Sequence, residues 1–264
     1  MSNRATSGAA QIEADLGLAG QVVLVTGGVR GVGAGISGVL AAFGATPIVC
    51  ARNVADTPFE FHNCDVRDAN SVTAMIESIV REHGRLDGVV NNAGGSPFAL
   101  AADASDRFSS KIFDLNLLAP LIVARAANMV MRQQESGGAI VNISSVSGHR
   151  PSPGTAAYGA AKAGLDNLTA TLAIEWAPKV RLNSVVCGPV ETELSQLHYG
   201  NEAGIAAVGE TIPLGRLASP QDVGNATAFL LSPLAGYISG STLTVHGGGE
   251  RPAFLDAGNA GNKI

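Results

Sequence analysis

The stretch VVLVTGGVRGVG, residues 22–33, runs from a continuous apolar segment through a glycine-rich turn into the start of a helical pattern. An unbroken Val/Leu run, without apolar–polar alternation, is how a strand buried on both faces reads. Glycines at 27, 31 and 33 let the turn tighten and the backbone approach a pyrophosphate. The helix that follows offers its N-terminus to the negative charge. A glycine pattern is informative only in this setting, after a first strand and before a helix. The literal G-x-G-x-x-G at 33–38 (GAGISG) starts after the helix has begun, so Gly35 and Gly38 are read as allowing close helix–sheet packing.

Working outward, further strands are expected at 46–51, 87–94, 138–145, 180–187 and 241–245, with a weak one at 58–66. Helical patterns lie between them, at about 31–43, 68–83, 106–133, 155–177 and 219–231. This alternation implies an α/β fold, a Rossmann-like doubly wound parallel sheet of about seven strands flanked by helices. Residues 1–19 read as a flexible lead-in, 20–250 as one domain, and 251–264 as a tail. Residues 189–215 are irregular and read as a substrate lid with short helices.

Composition narrows the function classes. Of 264 residues, 46% are hydrophobic and 15% charged, which is globular rather than disordered. The net charge of −5 argues against a nucleic-acid partner. Cys50, Cys64 and Cys187 have no metal-ligand spacing; a sparse, odd set suggests reduced thiols and a cytoplasmic protein. No apolar run approaches the length of about 20 residues that a membrane helix needs, so no membrane partner is expected. No residue pattern resembles a metal site. His62 and His83 are expected to face solvent.

In an open parallel sheet, ligands bind beyond the carboxyl ends of the strands. Small and polar residues collect at those ends: Gly27–Gly33, Ala51-Arg52, Asp65-Val66, Asn91–Gly94, Ser144-Ser145 and Cys187–Thr192. Where an acidic residue would favour NAD by binding the ribose diol, this chain has Ala51-Arg52. Arg52 can hold a 2′-phosphate bidentately, and Arg30 can add a second cation. NADP(H) is therefore the expected cofactor, with NAD(H) as the alternative. In YGAAK, residues 158–162, Tyr158 and Lys162 share one helix face. A nearby ammonium favours the phenolate, so the pair reads as acid–base machinery.

Together these features resemble the short-chain dehydrogenase/reductase family in its single-domain form, over nearly all of residues 20–248. TGGVRGVG, NNAG at 91–94, YGAAK, Ser145 thirteen positions before Tyr158, and Asn116 in DLNLLAP carry the resemblance. It implies a catalytic tetrad of Asn116, Ser145, Tyr158 and Lys162. Tyr158 would pass a proton to or from the substrate oxygen. Ser145 would hydrogen-bond that oxygen, and Asn116 would anchor a water. Lys162 would hold the nicotinamide ribose. The resemblance also implies cofactor contacts from Gly27, Arg30, Gly31, Val32, Gly33, Asp65 and Val66 (adenine), and Asn92, Ala93 and Gly94 (ribose). Gly188, Val190 and Thr192 would lie at the nicotinamide. Ser96, Ser147, His149 and His198 are expected near the substrate. The chain departs from the family at Cys187-Gly188, where Pro-Gly is usual, and at His246, where aspartate is common.

The activity implied is an NADP(H)-dependent ketone–secondary alcohol interconversion, with 3-oxoacyl, steroid or alicyclic compounds as substrates. The alternatives are an NAD(H)-dependent alcohol dehydrogenase of the same family and a non-catalytic nucleotide sensor on the same fold. The family further implies a homotetramer built through the helices at 106–133 and 155–177.

Overall fold

A computed structural model of the chain describes residues 16–257. Seven parallel strands form one sheet in the order β3-β2-β1-β4-β5-β6-β7. They are β1 (Val22–Thr26), β2 (Thr46–Ala51), β3 (Glu60–Asn63), β4 (Gly88–Asn91), β5 (Gly138–Ser145), β6 (Val180–Cys187) and β7 (Thr242–Val245). The helices are α1 (Gly31–Ala42), α2 (Ala69–His83), α3 (Asp106–Phe113), α4 (Ala119–Met131), α5 (Ala156–Glu175), α6 (Ser195–Tyr199), α7 (Glu202–Glu210), α8 (Pro220–Leu231) and α9 (Ala253–Ala257). No helix intervenes between β2 and β3.

The apolar runs are explained by two cores, one on each face of the sheet. Alternate residues of β1 go opposite ways, as strand geometry demands. Val22 and Leu24 pack with Met75, Ile79, Ala127 and Met131 beneath α2 and α4. Val23 and Val25 pack with Ile36, Leu40, Val223 and Leu230 beneath α1 and α8. Every strand therefore ends at the same edge, and the switch between β1's two neighbours opens a crevice there.

Several expectations need correction or fall partly outside the described residues. A Cβ on Gly35 would collide with Pro220, so this glycine serves α1–α8 helix packing, not helix–sheet packing, and Gly38 faces open space. The helical run at 106–133 is interrupted by a π-type segment, Asp114–Leu118, between α3 and α4. That continuous run, Asp106–Met131, is also long and apolar enough by length and composition to cross a membrane. Its apolar side instead belongs to this fold: Val123, Ala127 and Met131 are core residues. Of the lead-in, residues 1–15 lie outside the described residues, whereas Leu18 is fully buried in the α1–α8 core. Of the tail, 258–264 lie outside the described residues and α9 occupies part of the remainder.

Candidate active site

The glycine turn is built to leave space. Gly27 (φ 63°) and Gly31 (φ 51°) adopt left-handed backbone, which side-chain-bearing residues avoid. A Cβ at Gly33 would collide with the Gly27 carbonyl and the Asn92 amide. The β4 end pins this turn. Asn92 Nδ2 donates to the carbonyls of Thr26 (2.9 Å) and Gly27 (3.1 Å), and Thr26 Oγ1 accepts from the amides of Asn92 and Ala93, both at 3.0 Å. Helix α1 starts without a side-chain cap, whereas α2 and α8 are capped by Asp68 and Ser219. The uncapped start leaves amide donors of α1 for an anion. A pyrophosphate-bearing dinucleotide fits this cradle.

From the turn a cavity of about 730 Å³ extends across the sheet edge. It is lined by all the cofactor residues expected from sequence, and by Ser145, Tyr158, Lys162 and His198. At one end are Arg52, Asp65 and Val66. At the other are Tyr158, Lys162, Gly188, Val190 and Thr192.

The polar groups at this second end are set by tight packing. A Cβ on Gly159 would stand 2.6 Å from the Ser147 carbonyl, and one on Gly148 would stand 2.7 Å from the Ala163 amide. Small residues thus let α5 press against the end of β5. Lys162 is buried, its Nζ donates to the Ile143 carbonyl at 2.7 Å, and it lies 5.5 Å from the Tyr158 ring centre. Burial pushes the lysine down to about 8. It pushes the Tyr158 phenol up to about 12, against the opposing pull of a hydrogen bond with Ser145. The expected lowering of the phenol by the ammonium is thus not seen; desolvation dominates. Protonated tyrosine and a hydroxyl beside it can donate to a carbonyl oxygen.

Asn116 does not line the cavity. Its side chain is committed to backbone: Nδ2 donates to Gly95 O (3.0 Å) and Ile112 O (2.9 Å), and Oδ1 accepts from Gly95 N at 2.8 Å. Only a second lone pair of Oδ1 is left for the expected water. The residue fixes the loop after β4 onto the π-type segment.

Three expected substrate residues also lie elsewhere. Ser96 Oγ donates to the Pro97 carbonyl, and Ser147 Oγ pairs with Ser152 Oγ. His149 lines a separate cavity of about 300 Å³ with Arg150, His246 and Glu250, and its Nε2 meets Asp166 at 2.9 Å. His62 and His83 are half-buried rather than solvent-facing, each hydrogen-bonded to Glu60. Sequence reading missed Arg67, Glu193, Leu194 and Tyr199, which also line the main cavity. Arg67 grips both carboxylate oxygens of Asp65, at 2.9 and 2.6 Å, and holds that carboxyl down at about 2. The Asp-x-Arg spacing at 65–67 was the available signal. Tyr199 sits in the short helix α6, and a lone tyrosine in an irregular segment carries none.

A family model described as Enoyl-(Acyl carrier protein) reductase matches residues 27–250. The human protein "Dehydrogenase/reductase SDR family member 4" is 33% identical over 245 residues, covering 88% of this chain and 88% of its own. The chain belongs to the short-chain dehydrogenase/reductase family. Another relative in this family, cyclopentanol dehydrogenase from Comamonas testosteroni, is 36% identical over 242 residues, covering 86% of this chain and 96% of that protein. The solved structure of Thermoplasma acidophilum aldohexose dehydrogenase in ligand-free form superposes with a TM-score of 0.86 at 29% identity, covering 95% and 100% of the two chains. As a short-chain dehydrogenase/reductase, the protein is an oxidoreductase acting on CH–OH groups of small molecules with a nicotinamide dinucleotide.

Proposed function

We propose that the protein interconverts a ketone and a secondary alcohol with NADP(H), using Tyr158 as general acid/base and Ser145 and Lys162 as its partners. The observation that carries the reading is the junction of an uncapped, glycine-lined helix start with a half-buried Tyr158 beside the buried Lys162 in one cavity. The nicotinamide, when bound, supplies or accepts the hydride. Gly27, Gly31 and Gly33 hold the pyrophosphate, and Asn92, Ala93 and Gly94 the adenosine ribose. Asp65 and Val66 meet the adenine. Val190 and Thr192 border the nicotinamide, whose ribose Lys162 holds. Ser145 fixes the reacting oxygen and Tyr158 moves the proton at that atom.

Arg52 and Arg30 line the cavity and support NADP(H) over NAD(H). The one carboxylate at that end, Asp65, is already neutralised by Arg67. Leu115, Leu194 and Tyr199 in the cavity lining support an alicyclic or acyl ketone, in line with the cyclopentanol dehydrogenase relative. Exposed Leu118, Met129 and Ile174 on the outer helical layer support a homotetramer. Three buried free thiols support a cytoplasmic setting. The test follows NADPH consumption with a panel of cyclic and 3-oxoacyl ketones, for wild type and Tyr158→Phe. Turnover that falls at least about 100-fold in the variant supports the reading. Equal rates in both proteins, or no turnover with any ketone although NADPH binds, overturn it; the second result favours a nucleotide sensor.

A further inference from the structure

The edge strand β3 and the last turn of α2 bring together two short sequence pairs, Glu60 with His62 and Glu82 with His83. Residues two apart on a strand share a face. In β3 that face looks toward α2, because Phe61 between them packs into the opposite core. His62 Nε2 lies 2.9 Å from Glu60 Oε1, and His83 Nε2 lies 2.8 Å from Glu60 Oε2. One ligand atom each from Glu60, His62 and Glu82 falls within 4.8 Å of the other two.

Among the described residues, neither Glu60 nor Glu82 is ion-paired with a lysine or arginine. Arg81, the nearest arginine on α2, donates to Ser78 Oγ at 2.7 Å and forms no ion pair with either carboxylate. The carbonyl end of α2 points to the same place: Gly84 closes the helix in left-handed backbone immediately after His83. A helix C-terminus favours a cation. Both carboxylates are also oriented from outside. Ser78 Oγ donates to Glu82 Oε1 at 2.8 Å, and His83 holds the second oxygen of Glu60. Ligating carboxylates are commonly hydrogen-bonded in this way.

We propose that Glu60, His62 and Glu82 form a binding site for a divalent transition cation of the Zn²⁺ class, with His83 and Ser78 as outer partners. A mixed nitrogen and oxygen donor set selects this class over Mg²⁺ or Ca²⁺, which prefer all-oxygen sets. Bond lengths of about 2.0–2.2 Å hold tetrahedral donors about 3.4 Å apart. Small rotations of partly exposed side chains close the present arrangement to that size, and water completes the shell. The ion staples β3 to α2. The chain then leaves β3 directly into Cys64, Asp65 and Val66, which line the main cavity. Neither pair alone has a ligand spacing, which is why the sequence reads as free of metal sites.

The test is a calorimetric titration of the chelator-stripped full chain with Zn²⁺ at neutral pH, for wild type, His62→Ala and Glu82→Gln. Circular dichroism checks that each variant is folded. Glu82 is exposed on α2, so its variant keeps the test decisive if His62→Ala does not fold. The expected result is one equivalent bound by wild type, weakened more than about ten-fold in the variants. Zn²⁺ should raise the thermal midpoint of wild type alone. No binding to wild type, or the same binding to wild type and Glu82→Gln, overturns the proposal.

Discussion

Lys162 Nζ stands 5.5 Å from the centre of the Tyr158 ring while donating to the Ile143 carbonyl at 2.7 Å. The lysine is thus anchored to β5 on one side and faces the phenol on the other. Burial disfavours the charged form of each, lowering the lysine and raising the tyrosine. This suits a proton donor to a ketone, since the phenol keeps its proton at neutral pH.

The lysine's depressed value has a stability consequence with a definite sign. Its pKa falls from 10.5 to about 8 on folding. Below pH 8 both states carry the proton and the folded state bears the full cost of a buried ammonium. Between about 8 and 10.5 the unfolded state binds more protons, so stability rises with pH. Lys162→Met removes this term. In urea unfolding of the cofactor-free protein, the variant's stability relative to wild type should fall by up to about 3 kcal/mol between pH 7 and pH 10.5. A difference that does not change with pH contradicts this.

Arg52 is expected to set cofactor choice. Replacing it by alanine should weaken NADPH binding about 10- to 100-fold, the worth of a charge-assisted phosphate contact. NADH binding should change little. Fluorescence titration of both nucleotides decides it. Tighter NADH binding that ignores the substitution would make the protein an NAD(H) enzyme.

Gly33 tests the cradle. A methyl group there meets the Gly27 carbonyl and the Asn92 amide, neither of which can move without breaking the bonds that pin the turn. Gly33→Ala should cost about 1–3 kcal/mol of stability, as overpacking does, and should abolish detectable dinucleotide binding. Denaturant unfolding and the same fluorescence titration measure both.

Much of this was legible in the chain because the physics was local. β1, its glycine turn and α1 each carry their own periodicity, and Tyr158 and Lys162 share a helix face by spacing alone. What escaped depended on contacts between distant segments. Gly35 looked like a helix–sheet contact because α8, 185 residues later at Pro220, is invisible from its surroundings. Asn116 reads as a water anchor, but its side chain is engaged by Gly95, 21 residues away. His149 looked like a substrate residue from its place after β5, but it turns to Asp166 on α5. The balance between burial and charge at Tyr158 also required the folded neighbourhood.

The outer helical layer predicts assembly. Ile174 on α5 is 81% exposed and Met129 on α4 is 57% exposed. Charge placed there should oppose burial against another copy. Sedimentation should give a tetramer for wild type and smaller species for Ile174→Arg, with dinucleotide binding retained. A wild-type monomer would rule out this assembly.

The last prediction concerns a carboxylate one helical turn beyond Lys162. Asp166 Oδ2 accepts from Ser144 Oγ at 2.8 Å and meets His149 Nε2 at 2.9 Å, while its Oδ1 is buried without a partner. Its negative charge favours the ammonium of Lys162, opposing the burial that lowers it. Asp166→Asn keeps an acceptor for Ser144 but removes the charge, so Lys162 should lose its proton at a lower pH than in wild type. The pH at which stability begins to rise should therefore move toward acid, and the alkaline limb of the turnover profile should move with it. A purely structural role for Asp166 would lower stability equally at every pH and leave both midpoints in place. The pH series of urea unfolding, run on Asp166→Asn beside wild type and Lys162→Met, separates the two: the acid shift should be absent from the Asp166→Asn/Lys162→Met double variant, because the group that titrates is gone.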